Sequence, residues 1–208
     1  ASGNDGSPKC CFAAYKFDGT LDSTFGNNGI IKYNIGSGSS DVVKIEEQLD
    51  GKIVAACNSN NNLGIHSYGL MRLNANGTLD NTFNGTGKLV LNLGAYQDEV
   101  YDLILQPDGK IIVVGQTGTS NPALDWMGIA RLNSNGTLDN TFGTGGIVKI
   151  RYPNTKSVAS CVAIQTDGKI IVGGHTVTYG SQNSFCVARL NSNGTMDNSF
   201  SADGMDSA

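Results

Sequence analysis

Short apolar stretches recur along the chain at a nearly constant interval. Three of them, residues 53–57, 111–115 and 170–174, contain no polar side chain. Each follows an Asp-Gly turn and, before that turn, a stretch in which apolar and polar residues alternate, such as 43–47. An Asp-Gly turn between two such stretches predicts a β-hairpin. A short run without a polar face predicts a strand that is covered on both sides.

Two sequence markers show that these stretches belong to a tandem repeat. The first reads Asn-Gly-Thr-Leu-Asp-Asn-Thr-Phe in its most complete form. Spacings of 58, 59 and 58 residues separate its glycines, which are Gly19, Gly77, Gly136 and Gly194. The second marker, Asp-Gly-Lys, has spacings of 58 and 59 residues and lies at 50–52, 108–110 and 167–169. Since both markers keep one period, the chain is built of repeats.

Each repeat is predicted to contain four short strands. The third strand ends just before the Asn-Gly-Thr marker and the fourth begins after it, and no stretch shows helical periodicity longer than one turn. Four antiparallel strands joined by hairpins are typical of a β-propeller blade. We therefore predict an all-β chain, a β-propeller of four-stranded antiparallel blades. A β-sandwich is the competing fold, but it does not require a strict repeat of this length.

The register of the markers predicts where the blades begin and end. We expect a flexible N-terminal segment at 1–9 and propeller repeats over 10–205, namely a half blade at 10–35, blades at 41–93 and 99–151, and a partial blade at 157–205. The first marker turn reads as two residues short, and the last copy ends before a convincing fourth strand. About 3.5 blades are fewer than the roughly four to eight of a closed ring, so the remaining blades are expected to come from elsewhere. The sources are a second copy or a partner chain, two copies giving about seven blades, with further sequence of the same protein as the other alternative.

The repeated phrases resemble a known family. Asp-Gly-Lys-Ile-Ile-Val-Val-Gly at 108–115, Ala-Arg-Leu-Asn at 130–133 and Asn-Gly-Thr-Leu-Asp-Asn-Thr-Phe-Gly-Thr-Gly-Gly at 135–146 are similar to the delta-60 repeat. That repeat occurs in large exported bacterial proteins and is classed as a β-propeller of unknown function. The resemblance runs from Phe12 to Phe200 and implies an extracellular or cell-surface location. The family has no assigned catalytic residues, so the resemblance implies no chemical role for any side chain.

Composition and charge exclude several classes of partner. The net charge is −4 and lysine and arginine are scattered singly, whereas a nucleic-acid phosphate backbone calls for a basic stripe. No apolar run approaches the roughly 18 residues of a membrane-spanning helix. The five cysteines contain no Cys-x-x-Cys spacing, and His66 stands alone, so neither a metal site nor a cofactor is predicted.

One aspartate recurs in each marker turn, at Asp22, Asp80, Asp139 and Asp197. A single carboxylate per repeat is a poor acid–base pair or metal site, and the interpretation we favour is that it accepts backbone N–H bonds and fixes the turn. An arginine precedes each of the last three, at Arg72, Arg131 and Arg189. We predict that arginine and aspartate pair within each blade as a structural pin, with Lys16 and Asp22 forming a weaker version.

The loops that differ between the copies are the candidate binding surface. Repetition indicates scaffold, whereas departure from it indicates where a specific surface can be built. The connections between second and third strands and the links between blades share one propeller face, and these are the segments that vary. Their candidate ligand-binding residues are Trp126, Tyr152, Tyr179, Tyr96, His175 and Asp125. The alternative is that these side chains only cover the interior of the loops.

The sequence favours a non-catalytic module that acts as a structural or interaction scaffold for protein or glycan binding. Flat aromatic side chains such as Trp126 suit glycan or protein recognition. The alternative is a glycan hydrolase or lyase with a central pocket, which needs paired carboxylates or a nucleophile. The inner strands offer Glu46, Glu47, Asp98 and Asp102, which do not repeat and form no recognisable set.

Overall fold

The computed structural model describes residues 9–61, 63–94, 96–118, 121, 125–178 and 183–207. These residues form fourteen β-strands and no helix, which confirms the all-β prediction. The chain divides into two compact units, one ending at Leu91 and the other beginning at Asn92.

The first unit contains a two-stranded and a four-stranded sheet. Its strands are β1 (Cys10–Ala13), β2 (Ile30–Tyr33), β3 (Ser40–Glu47), β4 (Ile53–Asn60), β5 (His66–Leu73) and β6 (Lys88–Leu91). β1 pairs with β2 in antiparallel register, and the larger sheet has the order β3-β4-β5-β6. The small sheet corresponds to the third and fourth strands of a blade, as the register of the markers predicts.

The second unit contains two four-stranded sheets. Its strands are β7 (Asp98–Leu105), β8 (Ile111–Thr117), β9 (Trp126–Leu132), β10 (Ile147–Ile150), β11 (Lys156–Ile164), β12 (Ile170–Val177), β13 (Asn183–Leu190) and β14 (Met205–Ser207). Each sheet keeps its strands in chain order. The last sheet differs from the sequence expectation, because the three residues of β14 pair with β13 and complete a fourth strand.

Every residue in the second strand of each full sheet is buried or partly buried. All seven residues of β8 are buried, and in β4 Val54 to Cys57 have no exposed surface. In the second unit, Ile112 and Val114 of β8 share one apolar cluster with Val162 of β11 and Val172 of β12. Neighbouring sheets of this unit therefore pack face to face, and this packing accounts for the apolar runs in the sequence.

The Asn-Gly-Thr marker forms the same turn in every copy. Asn76 Oδ1 accepts hydrogen bonds from the N–H and hydroxyl of Thr78. A 2.8 Å backbone hydrogen bond from Asn74 N to Thr78 O closes the turn. The first copy has an equivalent bond from Lys16 N to Thr20 O. Its turn is therefore of full length, and the expectation of a shortened turn is corrected.

The phenylalanine that ends the marker packs against the turn of the next repeat within each unit. In the second unit, Gly143 N donates a 2.8 Å hydrogen bond to Asn193 O. A Cβ atom placed on Gly194 would lie only 2.9 Å from the ring carbons of Phe142. In the first unit, the same arrangement joins Phe25 to Gly77. Glycine is needed here for two reasons, a positive φ and the close approach of an aromatic ring.

Comparing alanine at Gly194 with alanine at Gly145 separates the energetic cost of the positive φ from that of the close contact. Gly194 has φ +85° and a crowded Cβ position, whereas Gly145 of the same unit has φ +61° and nothing within 4 Å of that position. We expect Gly145→Ala to cost about 1–2 kcal/mol of unfolding free energy for the backbone alone. Gly194→Ala should cost roughly 1–3 kcal/mol more because Phe142 must move. Urea unfolding of both variants is the measurement, and equal losses would contradict the packing described.

Candidate functional site

Each full sheet contains one arginine–aspartate pair at the marker turn. The Nε atoms of Arg72, Arg131 and Arg189 donate hydrogen bonds of 2.7, 2.7 and 2.6 Å to one carboxylate oxygen each, of Asp80, Asp139 and Asp197. The other oxygen accepts from a hydroxyl two residues along, at Thr82, Thr141 and Ser199. The structure therefore places the three predicted pairs together within their own sheets.

A lysine from the Asp-Gly-Lys marker joins each pair, and the sequence reasoning missed it. Lys52 Nζ lies 3.2 Å from Asp80 Oδ2, and Lys110 and Lys169 lie 3.1 and 3.2 Å from the equivalent oxygens. Each cluster of arginine, aspartate and lysine is called the pin below. The pin therefore joins the two markers across the sheet.

The arginine of each pin also lies over the phenylalanine of its own marker. The guanidinium carbons of Arg72, Arg131 and Arg189 lie 5.1, 4.5 and 4.9 Å from the ring centroids of Phe83, Phe142 and Phe200. This is cation–π geometry. Each repeated arginine therefore contacts both the turn aspartate and the ring of its own marker, and for Arg131 this ring, Phe142, also packs on the next turn.

The first copy has no pin. Asp22 N donates to Ala14 O, as Asp80 N donates to Arg72 O, so Ala14 occupies the arginine position. Lys16 instead takes the place of Asn74 in the turn. The expected pairing of Lys16 with Asp22 is therefore not an equivalent of the pin, and Asp22 is partly exposed and accepts hydrogen bonds from Thr24.

The pin keeps its carboxylate charged. Burial alone would raise the pKa of Asp80, but hydrogen bonds from the Thr82 hydroxyl and N–H, together with Lys52 and Arg72, outweigh burial and hold that pKa well below its ordinary value. The equivalent groups lower the pKa of Asp139 in the same way.

These lowered pKa values predict acid sensitivity. A carboxyl whose pKa is lower in the folded than in the unfolded state stabilises the fold above the unfolded value, and this stabilisation is lost as the pH falls. We expect the urea midpoint to fall as the pH is lowered below about 4, where unfolded aspartates begin to take up protons. The Asp139→Asn variant should show a weaker pH dependence. A wild-type midpoint that rises on acidification would contradict the assignment.

Two neighbouring sets of side-chain contacts lie at the strand ends that border the variable loops of the second unit, one at Trp126 and one at Asp125. Arg151 stacks on Trp126 with its guanidinium carbon 4.7 Å from the ring centroid. Asp125 is buried and accepts a 2.8 Å hydrogen bond from Gln116 Nε2, with Lys156 Nζ 3.5 Å away. Asp125 and Trp126 are adjacent in the chain, and the five residues of these two contact sets are together called the Trp126 cluster. Sequence reasoning named Asp125 and Trp126 but missed Gln116, Arg151 and Lys156, which are single polar residues without a repeat signal.

The other predicted loop residues lie in different surroundings. Tyr152 is buried in the apolar cluster, and its hydroxyl donates to the carbonyl oxygens of Val187 and Asp206, so its ring supports the core rather than an exposed surface. Tyr96 is half exposed, and His175 is partly buried on β12. Tyr179 lies outside the described residues.

A comparison with known protein families identifies the family of the repeat. The family described as a domain of unknown function (DUF5122) β-propeller matches residues 48–83, 106–142 and 165–200, together slightly more than half of the chain. The chain belongs to this family. Each matched segment of the DUF5122 β-propeller begins just before the Asp-Gly-Lys marker and ends at the marker phenylalanine, so all three pins lie inside the matched segments. The copy that lacks a pin lies outside them.

A comparison with curated proteins found no match. Among the described residues of the DUF5122 chain, no group of three histidine, cysteine or acidic side chains is placed to hold a metal ion. No helix in the same residues is long and apolar enough to cross a membrane. All five cysteines are free thiols, and three of them, Cys10, Cys57 and Cys186, are buried.

Proposed function

We propose that the chain is a non-catalytic propeller module that binds a protein or glycan ligand through the Trp126 cluster. The observation that supports this most is a partly exposed tryptophan ring held by a stacked arginine. A fixed flat ring beside hydrogen-bonding groups suits stacking on a sugar or anchoring of a protein loop. The cluster also lies at strand ends next to the loops that vary between repeats, whereas the repeated residues are engaged in the pins.

The surroundings of the inner carboxylates favour binding over catalysis. Asp98 is buried and accepts hydrogen bonds of 2.7 and 3.0 Å from the N–H groups of Leu93 and Gly94. Asp102 accepts a 3.0 Å bond from Val162 N, which links two sheets of the second unit. Carboxylates that hold backbone in this way fix the structure and are poorly placed to exchange protons with a substrate.

Binding to a glycan array and to a panel of extracellular proteins tests the proposal, with a parallel assay for glycan hydrolysis. For whichever probe binds, Trp126→Ala should weaken binding at least about tenfold, because a central aromatic side chain carries a large share of binding energy. The control is Tyr15→Ala, which removes a 65% exposed ring from the repeated-turn region of the first unit and should leave binding unchanged. Release of product, or equal effects of both variants, would contradict the proposal.

The proposal includes a location and a partner. We propose an extracellular or cell-surface location, which the resemblance to exported bacterial repeat proteins supports. We also propose that a second copy or a partner chain completes the ring of blades, because the described residues of the first unit supply only two strands of its first blade. Detection of the native protein only in the cytosolic fraction would contradict the location.

A further inference from the structure

The first unit contains an open apolar groove between β1 and β3. It has a volume of about 290 Å³, and Phe12, Phe25, Val43, Ile45 and Ile53 are among its lining residues. Val43 and Ile45 are 38% and 52% exposed. Apolar side chains exposed together on one sheet face indicate a surface that another segment covers.

The second unit shows what covers the equivalent surface there. Val162 on β11 is the repeat equivalent of Ile45 on β3, since both lie two residues past the same irregularity in pairing, and Val162 is only 8% exposed. Ile112 and Val114 from the β7–β8 hairpin of the preceding sheet pack in the same cluster as Val162. Asp102 of that hairpin also accepts a hydrogen bond from Val162 N.

In the part of the chain that the structure describes, the edge of the small sheet lacks the same element. Among the described residues, β1 pairs with β2 alone, whereas β5, β9 and β13 each pair on the opposite edge with the second strand of their own sheet. An unpaired edge presents N–H and C=O groups that can pair with an added strand. The groove and the open edge therefore both lie where a hairpin of first and second strands stands in the other sheets.

We propose that this groove and edge bind a β-hairpin of the repeat's own kind, supplied by a partner chain. Its second strand pairs with β1, and its aliphatic side chains at the positions of Ile112 and Val114 fill the groove beside Ile45. This mode is strand addition, in which backbone hydrogen bonds give affinity and side chains give specificity. Of the two proposed sources for completing the ring, a folded copy of this chain does not fit this site, because β3–β4, β7–β8 and β11–β12 are each paired into their own sheets. The inference rests on the proposed completion of the ring.

A labelled peptide with the sequence of residues 98–117 tests the site by fluorescence anisotropy against the whole chain. The peptide is used both linear and with its ends joined by a disulfide through added cysteines, which holds it as a hairpin. Both variants of the protein replace an exposed apolar residue of the same sheet, Ile45 at 52% and Val90 at 42% exposure. We expect saturable binding that Ile45→Asp weakens by more than about tenfold and that Val90→Asp leaves within about twofold. A peptide carrying Ile112→Asp and Val114→Asp should not bind.

Three results would overturn the inference. The first is that neither peptide form binds saturably, and the second is that both protein variants lose the same amount of peptide affinity. The third is a doubling of the protein's own mass in light scattering that Ile45→Asp removes, since this would make a second copy the occupant. The test is separate from that of the Trp126 cluster. Ligand binding lost by Trp126→Ala but kept by Ile45→Asp would leave the proposed function in place even if no hairpin bound.

Discussion

Replacing Phe142 by alanine is expected to lower the free energy of unfolding of the second unit by about 3–5 kcal/mol. The Phe142 side chain has no exposed surface, and its ring packs both under Arg131 and against Gly194. Alanine would leave a cavity at the contact between two sheets, and it would also remove the cation–π interaction. The loss of unfolding free energy should therefore lie at the upper end of the range that truncations of core side chains cause.

Urea unfolding followed by tryptophan fluorescence is well suited to this measurement. Trp126 is the single tryptophan of the chain and lies in the second unit, so its emission reports on that unit. The control is Phe185→Ala, because Phe185 belongs to the same unit but is 65% exposed. The control should change the unfolding free energy by less than about 1 kcal/mol. Similar shifts in the two variants would mean that Phe142 does not carry the contact.

The second large effect is expected at the pin. Asp139→Ala should cost about 3–5 kcal/mol, because it leaves the charge of Arg131 without its carboxylate partner. The side chain of Arg131 is only 6% exposed, so water cannot readily replace the lost hydrogen bonds. Lys110, which is 3.1 Å from the same carboxylate, also loses its buried partner.

An aspartate in an exposed ion pair of the same unit gives the control. Asp167 lies 3.7 Å from Lys169, and its side chain is 55% exposed. Exposed pairs contribute between about 0 and 1 kcal/mol. Asp167 Oδ1 also accepts a 3.1 Å hydrogen bond from Lys169 N in the turn, so Asp167→Ala should cost about 1–2 kcal/mol by the same fluorescence measurement. A loss at Asp139 as small as that at Asp167 would show that the pin does not stabilise the sheet.

The fold was predictable because two independent markers share one period. Asp-Gly-Lys sets one hairpin and Asn-Gly-Thr sets another turn, so the four strands of each repeat could be placed before any contact was known. The pairing of Arg131 with Asp139 was also predictable, since both recur and have opposite charge. The place of Lys110 in the same cluster was not, because sequence spacing does not tell which repeated side chains meet across a sheet.

The first copy shows a second limit of the sequence. Matching positive charges suggested that Lys16 replaces the arginine of the pin. The hydrogen bonds of the turn show instead that Ala14 stands there, and only the backbone register reveals this. β14 was missed for a related reason, because three residues are too few to form a recognisable pattern of apolar and polar positions.

The variable loops were the least predictable part. Trp126 and Tyr152 are both aromatic residues in segments that differ between copies, and nothing in the sequence distinguishes a ring at the surface from one in the core. The structure separates them, since the Tyr152 hydroxyl is engaged with the backbone of the last sheet whereas Trp126 is held by Arg151. The repeated residues stabilise the sheets, and the proposed binding surface is confined to the residues that do not repeat.

A double-mutant cycle between Arg131 and Asp139 tests most directly the claim that the repeated charges form one cooperative structural unit in each sheet. Unfolding free energies are measured for Arg131→Ala, Asp139→Ala and the double variant by the fluorescence of Trp126. We predict that the double variant loses about 1–3 kcal/mol less than the two single losses combined, because each single variant leaves a buried charge unpaired. Single losses that add to within about 0.5 kcal/mol would contradict the claim.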